Sequence, residues 1–303
     1  MKHLLKITDL EEKDIITILD LADQLKYEKK NNLQKKHLEG KSLGMVFEKS
    51  STRTRISFEV GMYELGGHAL FLSNRDLQMG RGESIKDTAR VLSRYLDCVM
   101  IRTYGQEILD EFAKYSSVPV INALSDLEHP MQALADFMTI REYKDSFNKL
   151  KLCYIGDGNN MANSLIAMGS RTGMAVSIAC PKGYEPNKEI VEEAKEKGNF
   201  LCTTDVLEAA KDADILYTDV WASMGQEEET NLRKEVFKNY QINHKVMGVA
   251  KKDAMVLHCL PAHKEEEISE DVFEEHAKYI FEQAENRLHV QKAVMVLLMK
   301  DRV

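Results

Sequence analysis

The stretch EKSSTRTRISFE, Glu48 to Glu59, sets two arginines and five hydroxyl side chains into twelve residues, directly behind the apolar run SLGMVF. A chain that enters a helix there offers outward-pointing backbone N–H groups with a partial positive charge, which favours an anion. Ser50, Ser51, Thr52 and Thr54 add short donors, and the fork of Arg53 or Arg55 suits a phosphate. Capping of the helix by Ser and Thr, with solvated arginines, is the plainer reading. The chain contains no G-x-x-x-x-G-K-[ST] loop, so a nucleoside triphosphate loses its main support.

Four other stretches carry chemistry. In HPMQALADF, His129 and Gln132 lie in or beside one helical turn opened by Pro130, where imidazole and amide can hydrogen-bond a substrate carbonyl. Arg102 closes the run CVMIR; taken alone it reads as a salt-bridge partner. In TDVWASMG, Asp219 ends an apolar run and can pair with an ammonium group. There Trp221 opens a Ser223-Met224-Gly225 loop able to fold over a ligand, with an ordinary turn as the alternative. In VLHCLPAH, Cys259 can hydrogen-bond or, as thiolate, accept a proton, or be a buried structural thiol. A metal held by His258, Cys259 and His263 matches no common zinc spacing.

The rival for YIGDGNNMANS is a dinucleotide loop. Gly156-x-Gly158 fits its start, but Met161 stands at the third glycine and the next strand ends in ACPKG without an acidic residue. Asn159, Asn160 and Asn163 are read instead as polar groups for a small substrate, with loop capping as the alternative.

These residues must be positioned by something, and the pattern around them is regular. Apolar strand-like runs at Leu43–Phe47, Cys98–Arg102, Val118–Asn122, Lys151–Gly156, Ala175–Cys180, Ile215–Val220 and Ala254–Cys259 alternate with helical periods such as Ser84–Tyr95. Ser84–Asp87 resembles a capping box with Asp in place of Glu. The alternation predicts an α/β fold, two doubly wound parallel-sheet domains with an interdomain cleft. The break is read in the charged stretch Arg141–Leu150, giving domains 1–140 and 150–283, with a helix over 284–303 able to pack back on the first. In such sheets ligands sit at the carboxyl ends of strands, where every motif above falls.

Composition narrows the class. Across 303 residues, 41 basic and 49 acidic side chains leave a net charge of −8, so no general basic field attracts nucleic acid or a membrane surface. An anion site must be built locally. Five cysteines without a C-x-x-C pair read as reduced thiols in a cytoplasmic chain. No targeting signal is read, and no run reaches the roughly 18 apolar residues of a membrane helix.

Taken together, STRTR at Ser51, QMGRGESIKDTARVL at Gln78, HPMQALAD at His129, GDGNN at Gly156, DVWASMG at Asp219, HCLPAH at His258 and AENR at Ala284 resemble the aspartate/ornithine transcarbamylase superfamily, its ornithine-specific members above all. The resemblance spans nearly the whole chain. It implies a carbamoyl-phosphate domain and an ornithine domain, with the C-terminal helix returning to the first. It implies a transferase moving the carbamoyl group of carbamoyl phosphate to the δ-amine of L-ornithine, giving L-citrulline and phosphate; the plain compact chain, not the resemblance, favours arginine synthesis over breakdown. By the same resemblance, Ser51, Thr52, Arg53 and Thr54 hold the phosphate. Gln78 reaches across from a neighbouring subunit of a homotrimer whose active sites lie at subunit interfaces. Arg102, His129, Gln132, Cys259, Leu260 and Arg287 surround the carbamoyl group, with Arg53, Arg102, His129 and Cys259 as catalytic residues. Asn160, Asp219, Ser223 and Met224 hold the amino acid. No metal and no organic cofactor is implied. A related transferase using putrescine or another amine is the alternative acceptor reading, and a catalytically silent regulatory relative is the alternative outside enzymes.

Overall fold

In the computed structural model, which describes residues 1–73, 77–78, 82–144, 146–222 and 229–300, the chain separates into two compact units. The first comprises Met1–Met138 and Asn286–Val303, the second Thr139–Glu285.

In chain order the first part runs α1 (Glu12–Lys30), β1 (Ser42–Phe47), α2 (Thr52–Glu64), β2 (His68–Ser73), α3 (Ile85–Leu92), β3 (Cys98–Arg102), α4 (Gln106–Tyr115), β4 (Val120–Leu124) and α5 (Pro130–Tyr143). Then follow β5 (Lys151–Ile155), α6 (Asn160–Thr172), β6 (Ala175–Ala179), α7 (Lys188–Glu196), β7 (Phe200–Thr203), α8 (Val206–Ala210), β8 (Ile215–Thr218), α9 (Thr230–Phe237), α10 (His244–Met247), β9 (Met255–His258) and the long α11 (Glu270–Met299).

Each unit holds one sheet. The first has strand order β2-β1-β3-β4, the second β7-β6-β5-β8-β9, and all neighbours pair in parallel. The two doubly wound α/β sheets are therefore as the alternating pattern predicts. Parallel strands need helical crossovers, which bury both faces. In the first unit Val46, Val99, Ile101, Phe112 and Val120 form a core cluster, and in the second Ile155, Leu216, Trp221, Phe237 and Val256 do.

In the first sheet the order reverses between β1 and β3, in the second between β5 and β8. Register brings Phe47 beside Arg102 and Ile155 beside Thr218. The loops that diverge at these points leave a crevice at the carboxyl edge, the usual ligand position in open α/β sheets. Ser51–Thr54 and Arg102 flank one such point; Asp157–Asn160 and Asp219 flank the other.

Two strands escape the sequence pattern. β2 and β7 are edge strands with partly exposed side chains, and their apolar runs, ALFL and FLC, are short. The fourth strand begins at Val120, not Val118, because Pro119 has no N–H to give the ladder; its carbonyl instead accepts from Val99 N at 3.0 Å. Ser84 caps α3 by accepting from Asp87 N at 3.1 Å, but its hydroxyl also donates to the Asp87 carboxylate at 2.9 Å, so the reciprocal half of a capping box is replaced. A full capping box lies at Glu11–Asp14 instead.

Candidate active site

The first unit gathers one set of the predicted residues. Ser51 is the N-cap of α2, its hydroxyl accepting from Thr54 N at 3.2 Å. The capping reading of the hydroxyl cluster is thus correct for Ser51, and it fixes where the helix begins. Thr52 stands exposed, Arg53 half-buried and Thr54 fully buried. Arg55 pairs with Glu59 at 3.0 Å and lies over the Phe71 ring at 3.9 Å, so it braces α2 on β2.

Arg287, on α11, joins this set. Its guanidinium donates to Thr54 Oγ1 and to Gln132 Oε1, both at 2.9 Å, while Gln132 Nε2 donates to Asp136 at 2.8 Å. Both ends of the Gln132 amide are therefore directed. His129 precedes Pro130 at the start of α5 and is buried. Burial first, then the Arg287, Arg102 and Arg53 guanidiniums, hold its imidazole well below the ordinary histidine value. A neutral imidazole amid three permanent cations can hydrogen-bond a carbonyl oxygen, and the cations suit a ligand of at least two negative charges. An observable consequence follows. The His129 ring resonances in NMR are expected not to shift between about pH 5.5 and 8. A titration step near 6.5 would refute the neutral assignment.

Residues that no local pattern reveals steady these loops. Lys49 Nζ bonds Asp126 Oδ1 at 2.5 Å and lies 4.0 Å from the centre of the Tyr104 ring. Thr103 donates to the Glu48 carboxylate. Glu128, fully buried, accepts from Ile7 N at 2.6 Å, and burial raises it to about 7. Gln78 is exposed, its carbonyl accepting from Glu83 N.

The second unit gathers another set. Asp219, 7% exposed, has its carboxylate ringed by donors: Asn159 Nδ2 at 3.0 Å, Val220 N at 2.8 Å and the Cys259 thiol at 2.9 Å. Strands β8 and β9 pair in register, Thr218 against His258, which brings Asp219 and Cys259 together. Asn160 stands half-exposed at the first position of α6. The neighbouring asparagines are structural, correcting their reading as substrate groups. Asn159 caps α6 by accepting from Met161 N and Ala162 N at 2.9 and 3.3 Å, and Asn163 accepts from Asn187 N at 2.8 Å. Trp221 is also corrected. It is buried and stacked 6.2 Å from Phe237, a core residue instead of part of a lid. Ser223 and Met224, predicted for the amino acid, lie outside the described residues.

Sequence reading missed Arg233. It is 4% exposed, donates twice to Asp157 Oδ2 at 3.1 and 2.7 Å, and lies over the Tyr184 ring at 5.0 Å. Burial nevertheless raises Asp157 to about 6, with Asp219 and Glu229 adding to the effect against Arg233. The clamp ties α9 to the turn that leads into Asn160.

His258 is not a metal ligand. Nδ1 accepts from Leu260 N at 2.8 Å, which leaves the proton on Nε2, 3.0 Å from Glu267 Oε1. That same backbone bond orients Leu260, whose φ of 60° is rare outside glycine. Among the described residues, His263, Glu266 and Glu267 bring ligand-type atoms within 4.8 Å of one another. However, Glu267 Oε1 already accepts from His258 and His263 N, and Glu266 Oε1 is bound by Lys234 at 2.6 Å.

Comparison with known proteins agrees with this division. Residues 2–142 match the family described as aspartate/ornithine carbamoyltransferase, carbamoyl-P binding domain, and residues 148–298 match its Asp/Orn binding domain. The chain is 53% identical to an ornithine carbamoyltransferase of Anoxybacillus flavithermus, over 98% of this chain and 96% of the relative. It is 52% identical to that of Methanosarcina acetivorans, over 99% of each. Among solved structures, the ornithine carbamoyltransferase of Pyrococcus furiosus superposes with a TM-score of 0.95 at 48% identity, covering 100% of this chain and 98% of its own. The anabolic enzyme of Campylobacter jejuni gives 0.94 at 46%, covering 100% of both. With matches over both halves and relatives above half identical along its length, the chain belongs to the aspartate/ornithine carbamoyltransferase family.

Proposed function

We propose that this chain transfers the carbamoyl group of carbamoyl phosphate to the δ-amine of L-ornithine, releasing L-citrulline and phosphate. The observation that carries the reading is the buried, neutral His129 amid Arg53, Arg102 and Arg287 at the reversal point of the first sheet. Such a group of charges suits a doubly charged acyl phosphate whose carbonyl must be polarised. Arg53 and the start of α2, with Ser51, Thr52 and Thr54, hold the phosphate; Arg102, His129, Gln132 and Arg287 hold the carbamoyl end. In the second unit Asp219 pairs with the α-ammonium, Asn160 binds the amino acid's polar end, and Cys259 and the Leu260 backbone meet the reacting group.

The chemistry balances without any added group. A free alkyl amine has a pKa of about 10.4, so it must lose a proton before it attacks. Its nitrogen bonds to the carbamoyl carbon, and the carbonyl oxygen takes up negative charge facing Arg102 and His129. The carbon–oxygen bond to phosphate then breaks, and the second amine proton passes to the departing phosphate. Holding both reactants in one orientation supplies much of the rate.

The ornithine assignment draws on Asp219, a lone carboxylate suited to an ammonium, where an aspartate acceptor needs extra cations for its second carboxylate. The relatives above bear the same name, and the Campylobacter jejuni enzyme is titled anabolic, so arginine biosynthesis in the cytoplasm is the favoured setting. No helix among the described residues is long and apolar enough to cross a membrane. Exposed apolar side chains on α2 (Ile56, Val60, Tyr63) and on the edge strand β2 (Leu70, Phe71) support contact between copies, and with exposed Gln78 available to a neighbour's phosphate site the assembly proposed is a homotrimer.

Carbamoyl phosphate offered with ornithine, putrescine or aspartate decides the acceptor. Citrulline from ornithine is expected, with the other amines at least about 10²-fold slower. Turnover of putrescine without citrulline would overturn the acceptor, and no turnover with any amine would favour a silent relative.

A further inference from the structure

The five cysteines differ sharply in setting. Cys98 and Cys153 are fully buried, and burial pushes the Cys153 thiol up to about 12. Cys259 gives its hydrogen to Asp219. The remaining two lie together: Cys180, just past the end of β6, and Cys202, on β7, have their sulfurs 3.9 Å apart. Register pairs Ile178 with Cys202, so Cys180 and Cys202 rise from the same face of the sheet, one side-chain period apart.

Their exposures are unequal. Cys180 is 2% exposed, whereas Cys202 is only half-buried, on an edge strand. One thiol can meet a small reagent and the other waits behind it. The contact between the two thiols, helped by Lys195 against burial, draws Cys202 down, while Cys180 is driven up. The lowered thiol is the one that a small reagent can reach, and thiolate is the form that attacks.

We propose that Cys202 and Cys180 form an oxidisable dithiol, with Cys202 attacking a hydroperoxide and Cys180 resolving the product to a disulfide. The Cys202 sulfur attacks one peroxide oxygen, the O–O bond breaks and hydroxide leaves, giving a sulfenic acid. The Cys180 sulfur then bonds to the Cys202 sulfur, the S–O bond breaks, and the departing hydroxide takes the Cys180 proton as water. Two thiols and one hydrogen peroxide become one disulfide and two waters, with two electrons passing from sulfur to peroxide. The sulfurs must close to about 2.05 Å. Cys202 lies on a four-residue edge strand with a single neighbour in the sheet, so only one ladder opposes that closure.

The test is titration of the full chain with hydrogen peroxide, followed by thiol counting and peptide mass mapping. Free thiols are expected to fall from five to three, with a mass loss of about 2 Da on one linked peptide pair containing Cys180 and Cys202. Cys202→Ser should slow thiol loss at least about tenfold, and Cys180→Ser should leave a sulfenic acid at Cys202, trapped by a 1,3-dione. Equal rates in wild type and Cys202→Ser, or a disulfide joining any other pair, would overturn the assignment. Should Cys180→Ser fold poorly, the linked peptide of the wild type decides alone.

Discussion

Replacing Arg287 by methionine is expected to weaken carbamoyl-phosphate binding about 10²-fold, read by calorimetry and as a matching fall in kcat/KM. Methionine keeps much of the volume but removes the guanidinium bonds to Thr54 Oγ1 and Gln132 Oε1. Gln132 is 1% exposed, so its carbonyl oxygen is left buried without that donor, a loss of about 1–3 kcal/mol at the site itself. The change also removes one of three cations beside His129, so the imidazole must move back up toward its ordinary value. A binding constant within about threefold of wild type would sink the assignment of Arg287 to the carbamoyl end. A large binding loss with an unmoved His129 would sink the electrostatic account only.

Asp219→Asn should act on the other substrate. Its expected signature is a fall of about 10²-fold in kcat/KM for ornithine, with carbamoyl-phosphate affinity unchanged within about threefold. The size follows from removing one charge-assisted bond to an ammonium, about 1.5–3 kcal/mol, at about 1.36 kcal/mol per tenfold. Asparagine is nearly isosteric, but one of its two terminal atoms is now a donor. Asn159 Nδ2 faces one carboxylate oxygen, and Val220 N and the Cys259 thiol face the other, so either orientation sets donor against donor. Equal losses for both substrates would instead point to general disruption of the loop.

The legible parts of the molecule were the local ones. Ser51–Thr54, Arg102, His129 and Asp219 each sit within a few residues of a strand end or helix start, so periodicity and cap residues mark their place. Arg287 was reached only through family resemblance, although it forms one hydrogen-bonded group with Thr54 and Gln132. What escaped was non-local. Arg233 and Asp157 are 76 residues apart, Glu128 and Ile7 121, Lys49 and Asp126 77, and no spacing rule links them. Burial also reversed one reading: Trp221 looked like part of a lid because it borders a glycine loop, yet its ring stacks into the core beside Phe237. Gly156-x-Gly158 fits only the start of a dinucleotide loop, which Met161 and ACPKG already disfavour, and a Cβ at Gly158 would run into the backbone of Tyr184 to Pro186. Its role is close chain packing, which a G-x-G pattern does not distinguish from approach to a ligand.

The helix α11 begins in one unit and ends in the other, so Met1–Met138 is completed only by Asn286 onward. During synthesis the nascent chain emits Thr54 and Gln132 early and Arg287 only after the whole second unit. The contacts that close the first unit, Lys26 to Asn286 across 260 positions and Thr54 to Arg287 across 233, are among the last a ribosome makes possible. A prematurely terminated chain therefore carries both Thr54 and Gln132 yet lacks the cation that joins them.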